Sequence, residues 1–412
     1  MCHLFVQYCG WDFCRTGGRT SGTGSCQYYS AFYYRIVGHL LLVCNGGSTV
    51  IAIRFGRGDK KGANDAFMTA FIMTLLLSVI LLLIGTLLPK QIAFLCGSSQ
   101  TILPMAEEYL FYYTLFSTPF LLSNCLSVFV RNDGAPGLAF VGMCTGAVTN
   151  IFLDWLFIFP LGMGLKGAAI ASGLGQVLSF LILLSHFVKK RGQLHIQKYS
   201  HSFALVGKIC KRGVPECVSQ LNTPVTALCY NWVLSNTLGD MGVSTFSVLS
   251  FIYSFANAIL SGVAEGLQPL WGQAFGRNDK EELEGYFQIG IKINIIASAV
   301  IYVMLFVFRI SAVRLFGSDS TLVEMASRAL PVFALSFLFM SVNLIFTAYF
   351  YSTKQTIKSD VIAISRGIII KALAIFLVPV VLGNRYVWCS VATEEAVTLV
   401  ICLFLNKYQK AV

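Results

Sequence analysis

Long apolar runs recur along this 412-residue chain and constrain its fold more than any other feature. Each run is about 20 residues long, the length that an α-helix needs to cross the hydrocarbon core of a bilayer. Hydrophobic residues make up 56% of the chain and charged residues 12%, where a soluble protein carries about 25% charged residues. The sequence therefore predicts an all-α protein that crosses a membrane many times.

Eleven of these runs are predicted to be membrane spans, and Pro119 and Pro224 are expected to bend the spans that contain them. The predicted spans are residues 36–53, 66–88, 109–130, 137–160, 167–188, 213–236, 241–271, 286–308, 329–351, 361–382 and 387–405. A polar, basic linker at 189–212 separates an N-terminal lobe at 36–188 from a C-terminal lobe at 213–412. Residues 1–35 contain no apolar run, which predicts an atypical or truncated first helix.

Short loop sequences repeat at a fixed offset. Residues 55–60 (FGRGDK) resemble residues 275–280 (FGRNDK), and 95–97 (LCG) resemble 315–317 (LFG), in both cases at an offset of 220 residues. Because each matched loop precedes a span of similar length, the pattern predicts two six-helix halves of like orientation. Parallel repeats of this kind occur in secondary transporters that bind their substrate between the halves.

The distribution of basic residues predicts the orientation. Lys and Arg concentrate in the central linker and in the loops on the same side of the membrane, which marks that side as cytoplasmic. The linker and the C-terminus are therefore expected to face the cytoplasm of a cell whose inner membrane holds the protein. The same rule explains the net charge of +11 without a nucleic-acid partner. The 13 cysteines contain no CxxC pair, so no metal site is predicted.

Several longer motifs point to one family. They are FGRGDKKGA at 55–63, FVRNDGAPGLA at 129–139, NIFLDWLFIF at 150–159, GAAIASGLGQ at 167–176 and GVAEGLQPLWGQAFG at 262–276. Together these segments resemble the bacterial multidrug and toxic compound extrusion (MATE) antiporters. The resemblance implies twelve helices in two six-helix lobes, a V-shaped central cavity, and export of cationic or amphipathic compounds driven by inward H+ or Na+.

The same resemblance implies a protein without enzymatic activity. We expect membrane lipids and small organic cations as its partners, a monomeric state, and no cofactor beyond the coupling ion. P-loop, HExxH and GxSxG motifs do not occur in the sequence, so ATP-driven pumping and the common hydrolase chemistries have no support.

Asp154 is an acid inside a predicted span. A carboxylate at membrane depth is costly and usually belongs to an ion or substrate path. Asn150 lies one helical turn earlier, and Gly142 and Gly146 continue the same stripe, so a neighbouring helix can approach this face closely. The predicted neighbour is the next span, which contains Ser172.

Proton-coupled members of the resembled family use an Asn and an Asp on helix five with a hydroxyl on helix six. The resemblance therefore implies that Asn150, Asp154 and Ser172 form a cation-coupling cluster. Burial should favour the neutral form of the carboxyl, so that Asp154 binds a proton from outside and releases it inside. The structural alternative is that Asp154 only hydrogen-bonds Asn150 or caps a helix.

Four residues of the second half are candidates for substrate or ion binding. They are Glu216, Gln220, Glu265 and Glu394. Glu216 could instead pair with Lys211 or Arg212 at the cytoplasmic edge, and Glu394 could be structural. Many relatives carry a Glu where Gln220 stands.

Two further features bear on charge inside the spans. Arg366 and Lys371 are expected to snorkel or to form pairs near helix ends. Sodium-coupled relatives use an acid on helix ten, and the span at 329–351 has none, which favours H+ as the coupling ion.

Two other functions compete with drug export. Flippases for lipid-linked saccharides share the implied architecture, although their cavity would need more basic residues than these spans contain. A defective first helix could also leave a folded remnant that does not transport.

Overall fold

A computed structural model describes residues 42–95, 103–197, 202–220, 222–316 and 319–410. All regular elements within these ranges are helices, as the sequence predicted, and none is a strand. The N-terminal segment that is predicted to be atypical, residues 1–35, lies entirely outside the described residues.

Contacts between residues divide the chain into two compact units, Met1–Cys217 and Val218–Val412. The helices that lead to the boundary are α1 (residues 42–56), α2 (Lys60–Leu87), α3 (Pro89–Leu95), α4 (Leu103–Leu115), α5 (Ser117–Asn132), α6 (Pro136–Ile158), α7 (Gly164–Val188) and α8 (Phe203–Gln220). The boundary lies within α8, close to its C-terminal end.

The second unit contains the remaining helices. They are α9 (Asn222–Thr237), α10 (Gly239–Arg277), α11 (Lys280–Val307), α12 (Arg309–Arg314), α13 (Ser320–Ala334), α14 (Ser336–Ser352), α15 (Thr356–Ile364), α16 (Ile370–Leu382) and α17 (Ser390–Lys410). A π-helical segment, Ser365–Ile369, joins α15 to α16, and a 3₁₀ turn, Asn384–Cys389, precedes α17.

The internal repeat is present in the helix boundaries. Helices α2 and α11 are both 28 residues long, and their first and last residues are each 220 positions apart. Both start at an aspartate whose side chain accepts a hydrogen bond from a backbone amide in the first turn: Asp59 from Gly62 and Asp279 from Glu282. Such caps satisfy amides that have no partner within the helix. The loop motif that revealed the repeat therefore supplies the start of the same helix in each half.

Among the described residues, seven helices are long and apolar enough to cross a membrane, and an eighth candidate is the pair α13 and α14, which meet at 41°. One other predicted span falls on an interrupted helix. The span at 109–130 is divided between α4 and α5, and Pro119 lies just after the break. Because proline has no N–H, it cannot donate to the carbonyl four residues earlier, which weakens the helix at that point. In the predicted span at 213–236, residue 221 between α8 and α9 lies outside the described residues.

Each unit has its own apolar core. In the first unit the ring of Phe67 stacks on Phe187 at 4.8 Å between centroids and meets Phe129 edge-on at 5.4 Å. In the second unit Tyr230 stacks on Phe246 at 4.4 Å. Large apolar side chains also stay exposed along α11, as a surface in contact with lipid requires; among them are Ile293, Ile296, Val300, Val303 and Val307.

The linker that was predicted at 189–212 is only partly irregular. Its second part is already helical, because α8 begins at Phe203. Helix α8 lies directly against α1, and a glycine of each helix contacts the backbone of the other helix. A Cβ on Gly213 of α8 would lie 1.8 Å from the carbonyl oxygen of Leu42, and a Cβ on Gly46 of α1 would lie 2.2 Å from the carbonyl oxygen of Ile209. Small residues therefore bring these two helices into backbone contact.

Candidate functional site

Helix α6 turns one continuous stripe of residues inward. Its buried residues are Ala139, Gly142, Gly146, Asn150 and Asp154, at the spacing of one helix face. The stripe packs against α7, as the sequence predicted. A Cβ on Gly146 would lie 2.9 Å from the carbonyl oxygen of Gly175, and one on Gly175 would lie 2.6 Å from that of Gly146. The two helices can approach this closely only because both positions are glycine.

The close crossing brings the predicted polar side chains together. The Asn150 amide nitrogen donates a hydrogen bond to the Ser172 hydroxyl at 3.2 Å. Asp154 lies one turn further along the same buried face and is 4% exposed. Its Oδ1 atom and the Oδ1 atom of Asn150 have no hydrogen-bond partner in the described part of the chain. The cluster thus presents two buried, unpaired oxygen acceptors, and its role in ion coupling stays a prediction.

The polar region continues along α7 to a contact that the sequence did not reveal. Gln176, one turn after Ser172, accepts a hydrogen bond from the Ser123 hydroxyl of α5 at 2.7 Å. The ring of Phe116, at the break between α4 and α5, lies against Gly173, where a Cβ would be 2.1 Å from the ring. A lone serine in a span gives no sequence signal, so Ser123 could be assigned only from the structure.

The four candidates of the second half lie in different environments. Glu216 is half-buried on α8 within the first unit, and Glu265 is exposed on α10. Gln220 is the last residue of α8, and its side chain is not among those described. Glu394 is fully buried on α17. Burial at membrane depth therefore singles out Glu394 as the candidate for which a charge is most costly.

Arg366 and Lys371 form pairs, as the sequence predicted, but they lie in the interior of their span and not near its ends, which corrects the expected location. Both belong to the candidate span Thr356–Leu382, and each pairs with a buried acid of α17. The Arg366 guanidinium donates from Nε and Nη2 to Glu395 at 2.7 to 3.1 Å. The Lys371 ammonium lies 3.4 Å from Glu394 Oε2. Two cations and two carboxylates thus meet inside the second unit.

The internal repeat relates this charged cluster to the first unit. Arg366 and Glu395 stand 220 positions after Gly146 and Gly175, the pair of glycines at the α6–α7 crossing. Asn343, which donates to Glu395 Oε2 at 2.8 Å, stands 220 positions after Ser123. At this crossing the two helices of the first half are therefore in backbone contact, whereas the corresponding helices of the second half are joined by an ion pair.

Sequence comparison agrees with this architecture. The family model MatE matches residues 22–156 and again residues 215–377, so both halves of the repeat are recognised. The first match begins within the segment that was predicted to be atypical. The multidrug export protein MepA of Staphylococcus saprophyticus is 27% identical over 330 residues, covering 79% of this chain and 72% of that protein. MepA of Staphylococcus haemolyticus is 27% identical over 364 residues, covering 87% and 79% respectively.

Solved structures share the fold. A multidrug resistance MATE family transporter of the MOP superfamily in its outward-facing conformation superimposes with a TM-score of 0.92 at 21% identity, covering 99% of this chain and 92% of that one. A MOP superfamily transporter from Pyrococcus furiosus gives a TM-score of 0.90 at 22% identity with the same coverage. The repeated family match and the shared two-lobe helical fold establish that this chain belongs to the MatE family of multidrug efflux transporters.

Proposed function

We propose that the chain is a secondary active antiporter of the inner membrane, which exports cationic or amphipathic organic compounds in exchange for H+, with Na+ as the alternative ion. The proposal includes a monomer surrounded by lipid, with a cytoplasmic linker and C-terminus and without a cofactor. The names of the MepA relatives, which are multidrug export proteins, support the substrate class.

One observation carries the ion-coupling part of the proposal. Asp154 is a buried acid inside a membrane span, and its Oδ1 atom has no hydrogen-bond partner in the described part of the chain. An ionised carboxylate in this position is poorly compensated, and binding a cation removes the deficit. Because a proton neutralises the acid without needing further ligands, the apolar, glycine-rich surroundings favour H+ over Na+.

The geometry suggests how the ion and the substrate exclude each other. In its charged form Asp154 can attract an organic cation, and the neighbouring Asn150–Ser172 bond ties α6 to α7. Protonation from the outside removes the negative charge and with it the electrostatic attraction for the cation. Release of the proton to the cytoplasm restores the charge and completes the cycle.

Ethidium efflux from energised cells of a pump-deficient strain tests the proposal. We expect efflux by the wild-type chain that stops when the proton gradient is dissipated, and loss of efflux in Asp154→Asn. Asp240→Asn, the same change at an exposed position at the start of α10, should transport normally. Full efflux by a well-expressed Asp154→Asn variant would contradict the assignment, and dependence on a sodium gradient alone would select Na+.

The flippase alternative gains no support from the buried cations of the second unit. A lipid-linked diphosphate needs basic groups that are free to receive it. Arg366 and Lys371 are each occupied by a carboxylate of α17. These side chains therefore add no net positive charge to their unit.

A further inference from the structure

The two acids at the centre of α17 are held very differently. Glu395 accepts one N–H of Arg366 Nε shared between its two oxygens, a second hydrogen bond from Arg366 Nη2 and a third from Asn343, at 2.7 to 3.1 Å. Glu394 is also fully buried, but neither of its carboxylate oxygens accepts a hydrogen bond from the described part of the chain. Its closest cation is Lys371 Nζ, at 3.4 Å from Oε2.

This difference decides which acid can change its charge. Removing a carboxylate from water is costly, and hydrogen bonds together with an opposite charge must compensate for it. Glu395 has both, in the planar, bidentate arrangement that suits arginine. Glu394 has one loosely placed ammonium, so its charged form is the less well compensated of the two.

Other titratable groups around Glu394 do not provide the missing hydrogen bonds. Arg366 is engaged by Glu395, and the Tyr253 ring on α10 lies 6.0 Å from Lys371 Nζ. The hydroxyl of Tyr230, on α9, donates instead to the backbone oxygen of Val387 at 3.4 Å. The described environment therefore contains two cations, one other acid and two phenols, and among these groups Lys371 is the ion-pair partner of Glu394.

We propose that Glu394 is a second proton-binding carboxylate of this transporter, with Lys371 as its internal counter-ion, while Arg366 and Glu395 form a fixed ion pair. Proton binding forms one O–H bond on Glu394, and the proton is given up by a hydronium ion, which becomes water. The Lys371 ammonium then loses its partner, which weakens the link between α16 and α17. The inference extends the ion coupling proposed above from the first unit to the second.

The backbone beside the cluster is suited to such a change. Arg366 lies in the π-helical segment Ser365–Ile369, between α15 and α16. Single π-helical turns inside α-helices occur frequently at functional sites, because they leave the local hydrogen-bond ladder irregular. Lys371 is the second residue after this segment. A change in the charge of Glu394 therefore acts on the least regular part of the span.

Infrared difference spectroscopy of the purified full-length chain tests the proposal without requiring transport. Lowering the pH should produce the C=O stretching band of newly protonated carboxylic acids. We expect one component of this band to disappear in Glu394→Gln and to persist in Asp154→Asn. The exposed acid Glu324 provides the matched control, because Glu324→Gln should leave that component unchanged.

A second variant covers the case in which Glu394→Gln fails to fold. Removing the positive charge in Lys371→Met makes the ionised form of Glu394 less stable, so the same component should appear at a higher pH than in the wild type. A folded Glu394→Gln variant with an unchanged spectrum, or a Lys371→Met variant with an unchanged midpoint, overturns the proposal. The two proposals can fail separately. If Asp154→Asn abolishes efflux but the infrared spectrum contains no component from Glu394, the antiport proposal is supported and only the Glu394 inference is overturned.

Discussion

Single residues decide how closely the paired helices of each unit can approach. At the α6–α7 crossing two glycines allow backbone contact, and this contact brings Asn150 within hydrogen-bonding distance of Ser172. At the corresponding crossing of the second unit Arg366 and Glu395 fill the space with a bidentate ion pair. Mutations therefore destabilise the two crossings in different ways. A larger residue at the glycine crossing overfills the contact, whereas loss of one partner of the ion pair leaves a buried charge unpaired.

Gly175→Ala should destabilise the first unit. Its added Cβ would lie 2.6 Å from the carbonyl oxygen of Gly146, so the helices must separate. Overfilling of this kind typically costs about 1–3 kcal/mol, and the separation should also weaken the Asn150–Ser172 bond and lower efflux. Gly137→Ala is the control, since a Cβ there meets nothing within 4 Å. Thermal unfolding of both purified variants measures the difference, and equal melting temperatures would contradict the prediction.

The Arg366–Glu395 pair should show strong non-additivity. Glu395→Gln leaves a guanidinium buried without its counter-ion, which typically costs about 3–5 kcal/mol. The double variant Arg366→Met, Glu395→Gln removes both charges, so much of the lost stability should return. A double-mutant cycle on thermal unfolding measures this coupling. If the two single losses simply add, the pair does not stabilise the crossing.

At the scale of elements, the start of the linker is fixed to the first unit. The Asp133 carboxylate, in the turn between α5 and α6, accepts hydrogen bonds from the backbone N–H groups of Gln193 and Leu194 at 2.8 and 3.2 Å, and its other oxygen lies 2.8 Å from His186 Nε2. The Leu194 side chain is fully buried in the apolar core. The basic linker is therefore docked on the helices that carry Asp154 and Ser172.

Asp133→Ala should release this docked segment. Hydrogen bonds to a charged group contribute about 1.5–3 kcal/mol each, so local opening should increase by an order of magnitude or more. Trypsin cleavage after Lys189, Lys190 and Arg191, followed by mass spectrometry under native conditions, reports the opening. Asp240→Ala serves as the exposed control. Identical cleavage rates in the two variants would show that Asp133 does not hold the linker.

For the whole molecule, the 220-residue repeat implies two units of similar construction, each with its own core. The family match to both halves agrees with this division. A chain whose units each bury an apolar core should remain folded outside the membrane when detergent covers its exposed apolar surface.

We therefore expect the purified chain to elute as a single monomeric peak. Size-exclusion chromatography with light scattering in a mild detergent measures its mass. A peak at the 45.2 kDa of one chain, after subtraction of detergent, would support a competent fold and a monomer. Aggregation of the wild type in every detergent would favour the non-transporting remnant, and a dimer mass would contradict the expected oligomeric state.

The helical membrane fold, the repeat and the stripe that contains Asn150 and Asp154 can all be predicted without a structure. These features follow from local rules: the length of apolar runs, short motifs at a fixed offset, and the period of the α-helix. The break near Pro119 also follows locally, since a missing N–H acts on its own helix.

The tertiary structure alone decided which buried charges meet. Arg366 and Glu395 are 29 residues apart, and nothing in either segment distinguishes a paired arginine inside a span from one that reaches a helix end. The contrast between Glu395, with its full set of hydrogen bonds, and Glu394, with a single loose partner, likewise depends on how α17 lies against its neighbours. Pairing between distant segments is set by helix packing, and packing depends on the shapes of both surfaces together, which no local pattern records.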